Sequence, residues 1–185
     1  MHSMNIDLIA QIRTFKEFMD LYQPGDEKKF YGGVSLICFA LANTKPSERY
    51  AISTFLLDRG VDVRELDVEG HSTLQILLDG AEHNIEETCE LCARLIELGA
   101  DINHRDKKYG QVAIQYIARL GEREEKLQGI YDLWFSQPNL DLEGVDRAGN
   151  NPIEYARIFN DGGRREEMIR RMEEYEQRQQ AGRIH

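Results

Sequence analysis

The stretch from Cys92 to Gln115, CARLIELGADINHRDKKYGQVAIQ, constrains this chain most, because it packs a helix, a stop, a turn and a second helix into one short span. Leu91, Leu95, Ile96 and Leu98 recur at helical spacing and cover one apolar face. Gly99 then ends the helix where a left-handed residue is needed, a shape that only glycine takes without strain. Ala100 to Asn103 leads outward, Asp106 to Gly110 makes a turn, and a new helical pattern starts near Val112. A module of this kind should recur along the chain. It does.

Upstream, Phe55-Leu56-Leu57-Asp58-Arg59-Gly60-Val61-Asp62-Val63 repeats the helix end and the outward finger. Asp67-Val68-Glu69-Gly70 repeats the turn, and Ser72-Thr73-Leu74-Gln75 opens the next helix. Downstream, Leu133 and Trp134 end a helix and Asn139-Leu140-Asp141 forms a finger. Asp146-Arg147-Ala148-Gly149 then turns into Asn151-Pro152-Ile153-Glu154-Tyr155-Ala156. These residues resemble the ankyrin repeat, whose pattern runs D-x-x-G-x-T-P-L-H-x-A-A and closes with L-L-x-x-G-A-D-x-N. The T-P-L-H element is degraded to Val34-Ser35-Leu36-Ile37, Ser72-Thr73-Leu74-Gln75, Val112-Ala113-Ile114-Gln115 and Asn151-Pro152-Ile153-Glu154.

Gly70 to Gly110 spans 40 positions and Gly110 to Gly149 spans 39, against about 33 for an ankyrin unit. The excess lies between the two helices of each unit, at 43–48, 80–87 and 121–126, in polar segments that read as surface loops. The resemblance implies an all-α, ankyrin-like helical repeat solenoid with capping helices at both ends and short finger loops, with little or no regular sheet. A single domain over 1–185 is expected: a cap helix within 1–25, about four units over 26–163, and a cap helix with a frayed tail over 164–185. Ile6, Ile9, Phe15 and Tyr22 place one amphipathic helix over Met4 to Tyr22, capped by Asn5 or Ser3 and ended by Pro24-Gly25.

A formal net charge of −10 argues against nucleic acid, whose phosphates call for cations, and favours a basic protein partner. Three cysteines without regular spacing make no disulfide framework, which points to a reducing cytoplasm. No apolar run is long enough to span a bilayer, and the first residues do not read as a signal peptide. No membrane association is expected, and the chain reads as a monomer.

No constellation of residues makes a strong case for chemistry. Cys89-x-x-Cys92 invites a metal or redox reading, but it lacks a second ligand pair and sits at core positions of a helix. None of His2, His71, His83, His104 and His185 has a partner at ligand or triad spacing. Asp141, Glu143 and Asp146 do not follow the calcium-loop pattern and read as a solvated finger. Asn103 reads as a residue that hydrogen-bonds its own turn. No cofactor and no metal are expected, and the chain is expected not to be an enzyme.

What remains is a face. In the family, first helices and finger tips line a concave groove, and the x of T-P-L-H-x-A-A falls here on Cys38, Ile76, Tyr116 and Tyr155. Tyrosine suits a binding strip because it offers area and a polar tip with little rotamer entropy. With them come Asp79, Arg119 and Phe159 from the same helices, and His71, His104, Arg105, Tyr109 and Arg147 from the fingers. The resemblance thus implies a non-enzymatic protein-binding module that uses this concave surface. An acidic immunity or inhibitor protein that neutralises a basic toxin or enzyme is the narrower alternative.

Overall fold

The computed structural model describes residues 5–182. Ten α-helices dominate those residues, and the strands among them are two short ones, so the fold class is all-α as the sequence predicts. Cα packing divides the chain into two compact units. The first runs up to Asp101 and adds Asp106–Lys108; the second takes Ile102–Arg105 and everything from Tyr109 onwards.

The first unit opens with α1 (Ile6–Ile12) and α2 (Phe15–Leu21), two helices where the apolar pattern predicts one. Thr14 is the reason. Its hydroxyl accepts the Glu17 N–H at 3.2 Å, and the Glu17 carboxylate accepts the Thr14 N–H at 3.0 Å. This reciprocal cap starts a new helix and breaks the old one. Asn5 stands at the first N-cap without a side-chain bond, while Ser3 and Met4 lie outside the described residues. Strands β1 (Phe30–Tyr31) and β2 (Val34–Ser35) pair antiparallel, with Phe30 opposite Ser35. There follow α3 (Leu36–Leu41), α4 (Pro46–Leu57), α5 (Thr73–Leu78) and α6 (Ile85–Glu97). Helix α6 buries Thr88, Leu91, Cys92 and Leu95, one stripe at three- and four-residue spacing. The core of the unit is formed by Phe18, Leu36, Ile37, Leu41, Ile52, Leu56, Leu74 and Leu77, none of them exposed.

The second unit holds α7 (Ala113–Ala118), α8 (Gln128–Phe135), α9 (Pro152–Ile158) and α10 (Glu166–Gly182). A 3₁₀ turn over Glu124–Lys126 replaces the first turn of the helix expected from Glu124. The Glu124 carboxylate accepts the N–H groups of Glu167 and Met168 and so caps α10. Helix α10 continues to Gly182, and the buried Tyr175 ties it to the rest of the unit. The Tyr175 hydroxyl accepts the Leu140 N–H at 3.0 Å and donates to the Gln137 carbonyl at 2.7 Å. Tyr116, Ile117, Leu127, Ile130, Trp134, Met168 and Met172 form the fully buried core here.

The inter-helix segments 43–48, 80–87 and 121–126 are exposed or half-buried apart from Asn43, and buried side chains hold their main chain in place. Asn43 is fully buried, and its amide donates to the carbonyls of Ala10 and Arg13. Arg49 is 2% exposed and donates to the carbonyls of Asn43 and Glu82. In the second unit, Arg165 is 1% exposed and donates to the carbonyls of Ala118, Leu120 and Glu122. A loop without secondary structure must find donors for its buried carbonyls, and these long side chains supply them.

Local wiring recurs along the chain. Gly60 and Gly99 carry φ of +73° and +101° just after α4 and α6, and Asn139 takes the same role after α8 with φ +59°. The Asp67 carboxylate accepts the N–H groups of Glu69 and His71; that of Asp146 accepts those of Ala148 and Asn150. Ser72 with Gln75 and Asn151 with Glu154 close reciprocal caps on α5 and α9. At α7 the Gln115 side-chain oxygen accepts the Val112 N–H; valine has no side-chain oxygen, and its main-chain carbonyl accepts the Gln115 N–H instead. Among the described residues, no helix is long and apolar enough to cross a membrane.

Candidate partner-binding site

Three of the residues expected on the contact face meet in the first unit. His71, Ile76 and Asp79 line one hollow of about 260 Å³ together with Ala42, Asp67, Glu69 and Gly80. The Asp67 turn sets one wall. One Asp67 oxygen holds the turn's N–H groups, and the other lies 2.9 Å from His71 Nδ1. The cap from Ser72 fixes the start of α5, and Ile76 follows one helical turn later, half-buried in the lining. Asp79 follows the last residue of α5 and is exposed. Lys108 approaches Glu69 to 3.7 Å, an exposed pair of small energetic weight. The hollow is therefore lined by the apolar side chains of Ala42 and Ile76 and by the carboxylate residues Asp67, Glu69 and Asp79. That arrangement matches a long cationic side chain, apolar along its stem and charged at its tip.

Formal charge follows the same division. The first unit carries nineteen Asp and Glu against eleven Lys and Arg, a net −8; the second carries fourteen against twelve, a net −2. A basic body approaching the protein is steered by the first unit more than by the second.

In the second unit the expected strip is core rather than surface. Tyr116 is fully buried and Tyr155 is 8% exposed. Cys38, in register with them in the first unit, is 3% exposed, which leaves Ile76 as the accessible member of the four. All six residues of α7 are buried, whereas the equally short α5 leaves Ile76 half-buried. The Arg119 guanidinium lies 4.0 Å over the Tyr116 ring and closes it off. Phe159, 36% exposed, packs against Tyr155 with ring centroids 5.2 Å apart.

The finger residues divide by role. Arg105 braces its finger: its guanidinium donates to the carbonyls of Gly110 and Val145 and pairs with Asp141 at 2.7 Å. Arg147 and Tyr109 are exposed, and the Arg147 N–H donates to the Tyr109 carbonyl at 2.8 Å. His104 is half-buried in the second unit. Asn103 reaches beyond its own turn. Its amide donates to the Asn139 carbonyl, and its oxygen accepts the Asp141 N–H, so it links two fingers.

Several of the residues considered for chemistry make contacts within the fold. Burial pushes the Cys38 thiol up to about 12 and raises the fully buried Cys92 thiol well above its ordinary value, which keeps both protonated. Asp141 and Asp146 already hold protein donors: Asp141 is bonded to Arg105, Glu143 and Gly144, and Asp146 to Gln115, Ala148 and Asn150. Among the described residues, no three His, Cys, Asp or Glu side chains are grouped to hold a metal ion. His83 bonds Gly80 and Thr88 through its two nitrogens, and His2 and His185 lie outside the described residues.

No protein-family model matches the sequence, and no curated protein matches it. Among solved structures, the chain is similar to a functionally unknown protein from Leptotrichia buccalis C-1013-b. The two are 28% identical, with a TM-score of 0.79, over 95% of this chain and 94% of that one.

Proposed function

We propose that this chain is an ankyrin-like helical repeat solenoid, closed by capping helices, that acts as a non-enzymatic protein-binding module for a basic partner. The recurring stops, Asp-centred turns and capped short helices support the repeat reading. The observation that carries the binding reading is the hollow under His71, Ile76 and Asp79, where three expected contact residues converge among carboxylates. Concentration of charge in the same unit favours the narrower form, an acidic inhibitor that intercepts a basic toxin or enzyme. The contact set extends over the inner helices and finger tips, with Arg147, Tyr109 and Phe159 as its exposed members in the second unit.

The test compares wild type with an Asp79→Lys/Glu69→Lys variant as bait in native lysate. Both substitutions lie at exposed positions, so the fold should persist. A basic protein retained by wild type and lost by the variant is the expected result. Equal retention by both baits would overturn the hollow as the contact site.

A further inference from the structure

Two aspartates in the chain are followed directly by glycine, at Asp79-Gly80 and at Asp161-Gly162. Such a pair is chemically reactive, because glycine has no Cβ to keep its main-chain nitrogen away from the carboxyl of the preceding side chain. Both aspartates are exposed, so access to water does not tell the two pairs apart. Their surroundings do.

Asp79-Gly80 is held on several sides. The Asp79 N–H donates to the Gln75 carbonyl at 2.9 Å, and His83 Nε2 lies 2.8 Å from the Gly80 carbonyl oxygen. Arg49 fills the space beside Gly80, where an added Cβ would stand 2.8 Å from Nη2. With ψ at −4°, Asp79 also keeps the Gly80 nitrogen turned away from its own side chain. The peptide plane would have to rotate to bring the two together, and these contacts oppose that rotation.

Asp161-Gly162 lies in the 3₁₀ turn Asp161–Gly163 between α9 and α10, and all three residues are exposed. Gly162 departs from helical geometry with φ +63°, and no atom lies within 4 Å of a Cβ built on Gly162 or Gly163. The turn is closed by one main-chain bond, from the Gly163 N–H to the Asn160 carbonyl at 3.1 Å. Among the described residues, nothing is bonded to the Asp161 carboxylate.

We propose that Asp161-Gly162 is a self-modification site, at which aspartate converts to isoaspartate in the folded protein while Asp79 is preserved. The Gly162 nitrogen bonds to the Asp161 Cγ, and its proton leaves with the hydroxyl of the protonated carboxyl as water. A second water then opens the five-membered ring at the main-chain carbonyl. The chain now runs through Cβ and Cγ and is one methylene longer, with the former main-chain carbonyl as a free carboxylate. That insertion falls inside a bracket: the Asn160 side-chain oxygen accepts the Arg165 N–H at 2.7 Å. Arg165 in turn donates to the buried carbonyls of Ala118 and Leu120. Lengthening the main chain between Asn160 and Arg165 disturbs this link and loosens the start of α10.

The experiment ages the full chain at near-neutral pH, folded and in denaturing urea, and then digests it with trypsin, which releases 158–164 and 65–94 as separate peptides. Isoaspartate is read by enzymatic methylation of its free carboxylate, and fragmentation locates the residue. In the folded protein Asp161 is expected to convert at least about tenfold faster than Asp79, since two hydrogen bonds must open before Asp79 reacts. In urea the two should convert at similar rates. Asp161→Glu, which would have to close a larger ring, should remove the signal from 158–164 and keep its melting midpoint during ageing, whereas the wild-type midpoint falls. Equal conversion of the two aspartates in the folded protein, or conversion of Asp161 in urea alone, overturns the proposal. A constant wild-type midpoint while isoaspartate accumulates overturns the link to α10.

Discussion

The Arg49 Nε donates to the Asn43 main-chain carbonyl at 2.9 Å, and neither side chain is more than 2% exposed. The same guanidinium reaches the Glu82 carbonyl at 3.0 Å, so one arginine fixes two inter-helix loops. Burial lowers the Arg49 pKa from its ordinary value, yet arginine titrates so high that the group stays charged. Arg49→Met should destabilise by about 2–4 kcal/mol, because it leaves buried carbonyls without donors. Gly80→Ala should cost about 1–3 kcal/mol, since a Cβ there would stand 2.8 Å from Arg49 Nη2. Urea unfolding of both single variants and the double variant checks the argument. The two effects should be non-additive, because methionine vacates the space that the new methyl group needs. Additive costs would mean that Gly80 is constrained by something other than Arg49.

The parts of this fold legible in the sequence are the local ones. Gly60 and Gly99 announce helix stops because a left-handed residue leaves a mark on composition, and Asn139 fits because asparagine tolerates that region. The capping pairs Thr14 with Glu17, Ser72 with Gln75 and Asn151 with Glu154 follow a readable S/T/N-x-x-E/Q spacing. The candidate hollow was partly legible, through His71, Ile76 and Asp79. What could not be read was burial. Arg49, Arg165 and Asn43 are polar, and only the tertiary arrangement of loop carbonyls makes an interior place for them. Tyr116 failed for the converse reason: a register position says which residues are equivalent, not how much of each is left for solvent.

Acid should weaken the second unit through Asp141. Partial burial alone would raise its carboxyl, but the Arg105 hydrogen bond and charge, with N–H groups of Glu143 and Gly144, outweigh it and hold the carboxyl below its ordinary value. A depressed native pKa contributes stability that is present above the unfolded value and lost as pH falls through the native one. Wild type should therefore lose more stability than Asp141→Asn between about pH 5 and pH 2, while being the more stable of the two near neutrality. Chemical unfolding at several pH values reads this directly. Parallel curves for the two proteins would show that the Arg105–Asp141 pair adds nothing to the native state.

Gly99→Val tests the helix stop. The native φ of +101° is far outside what a β-branched residue takes cheaply, although no neighbouring atom lies within 4 Å of the added Cβ. Any cost is thus conformational rather than steric. A loss of more than about 1 kcal/mol is expected, whereas Gly99→Asn should retain much of the stability, as Asn139 does the same task after α8. Equal melting midpoints for wild type and Gly99→Val would show that the backbone there relaxes freely.

Tyr116 and Ile76 occupy equivalent positions in α7 and α5, yet they should answer differently to substitution. Tyr116 has no exposed surface and carries a stacked Arg119, so Tyr116→Ala should cost about 3–5 kcal/mol in unfolding free energy. Ile76 is half-buried in the lining of an acidic hollow that Asp79 also lines. Ile76→Gln should cost stability only modestly, about 1 kcal/mol, while it removes the apolar lining on which a cationic side chain would rest. The discriminating measurement pairs thermal unfolding with retention of the basic partner. Tyr116→Ala should lower the melting midpoint and lose the partner only as the fold is lost; Ile76→Gln should lose the partner at temperatures where the protein is folded. If Ile76→Gln instead unfolds like Tyr116→Ala and binds normally when folded, the hollow is packing and the contact surface lies on the exposed fingers at Tyr109 and Arg147.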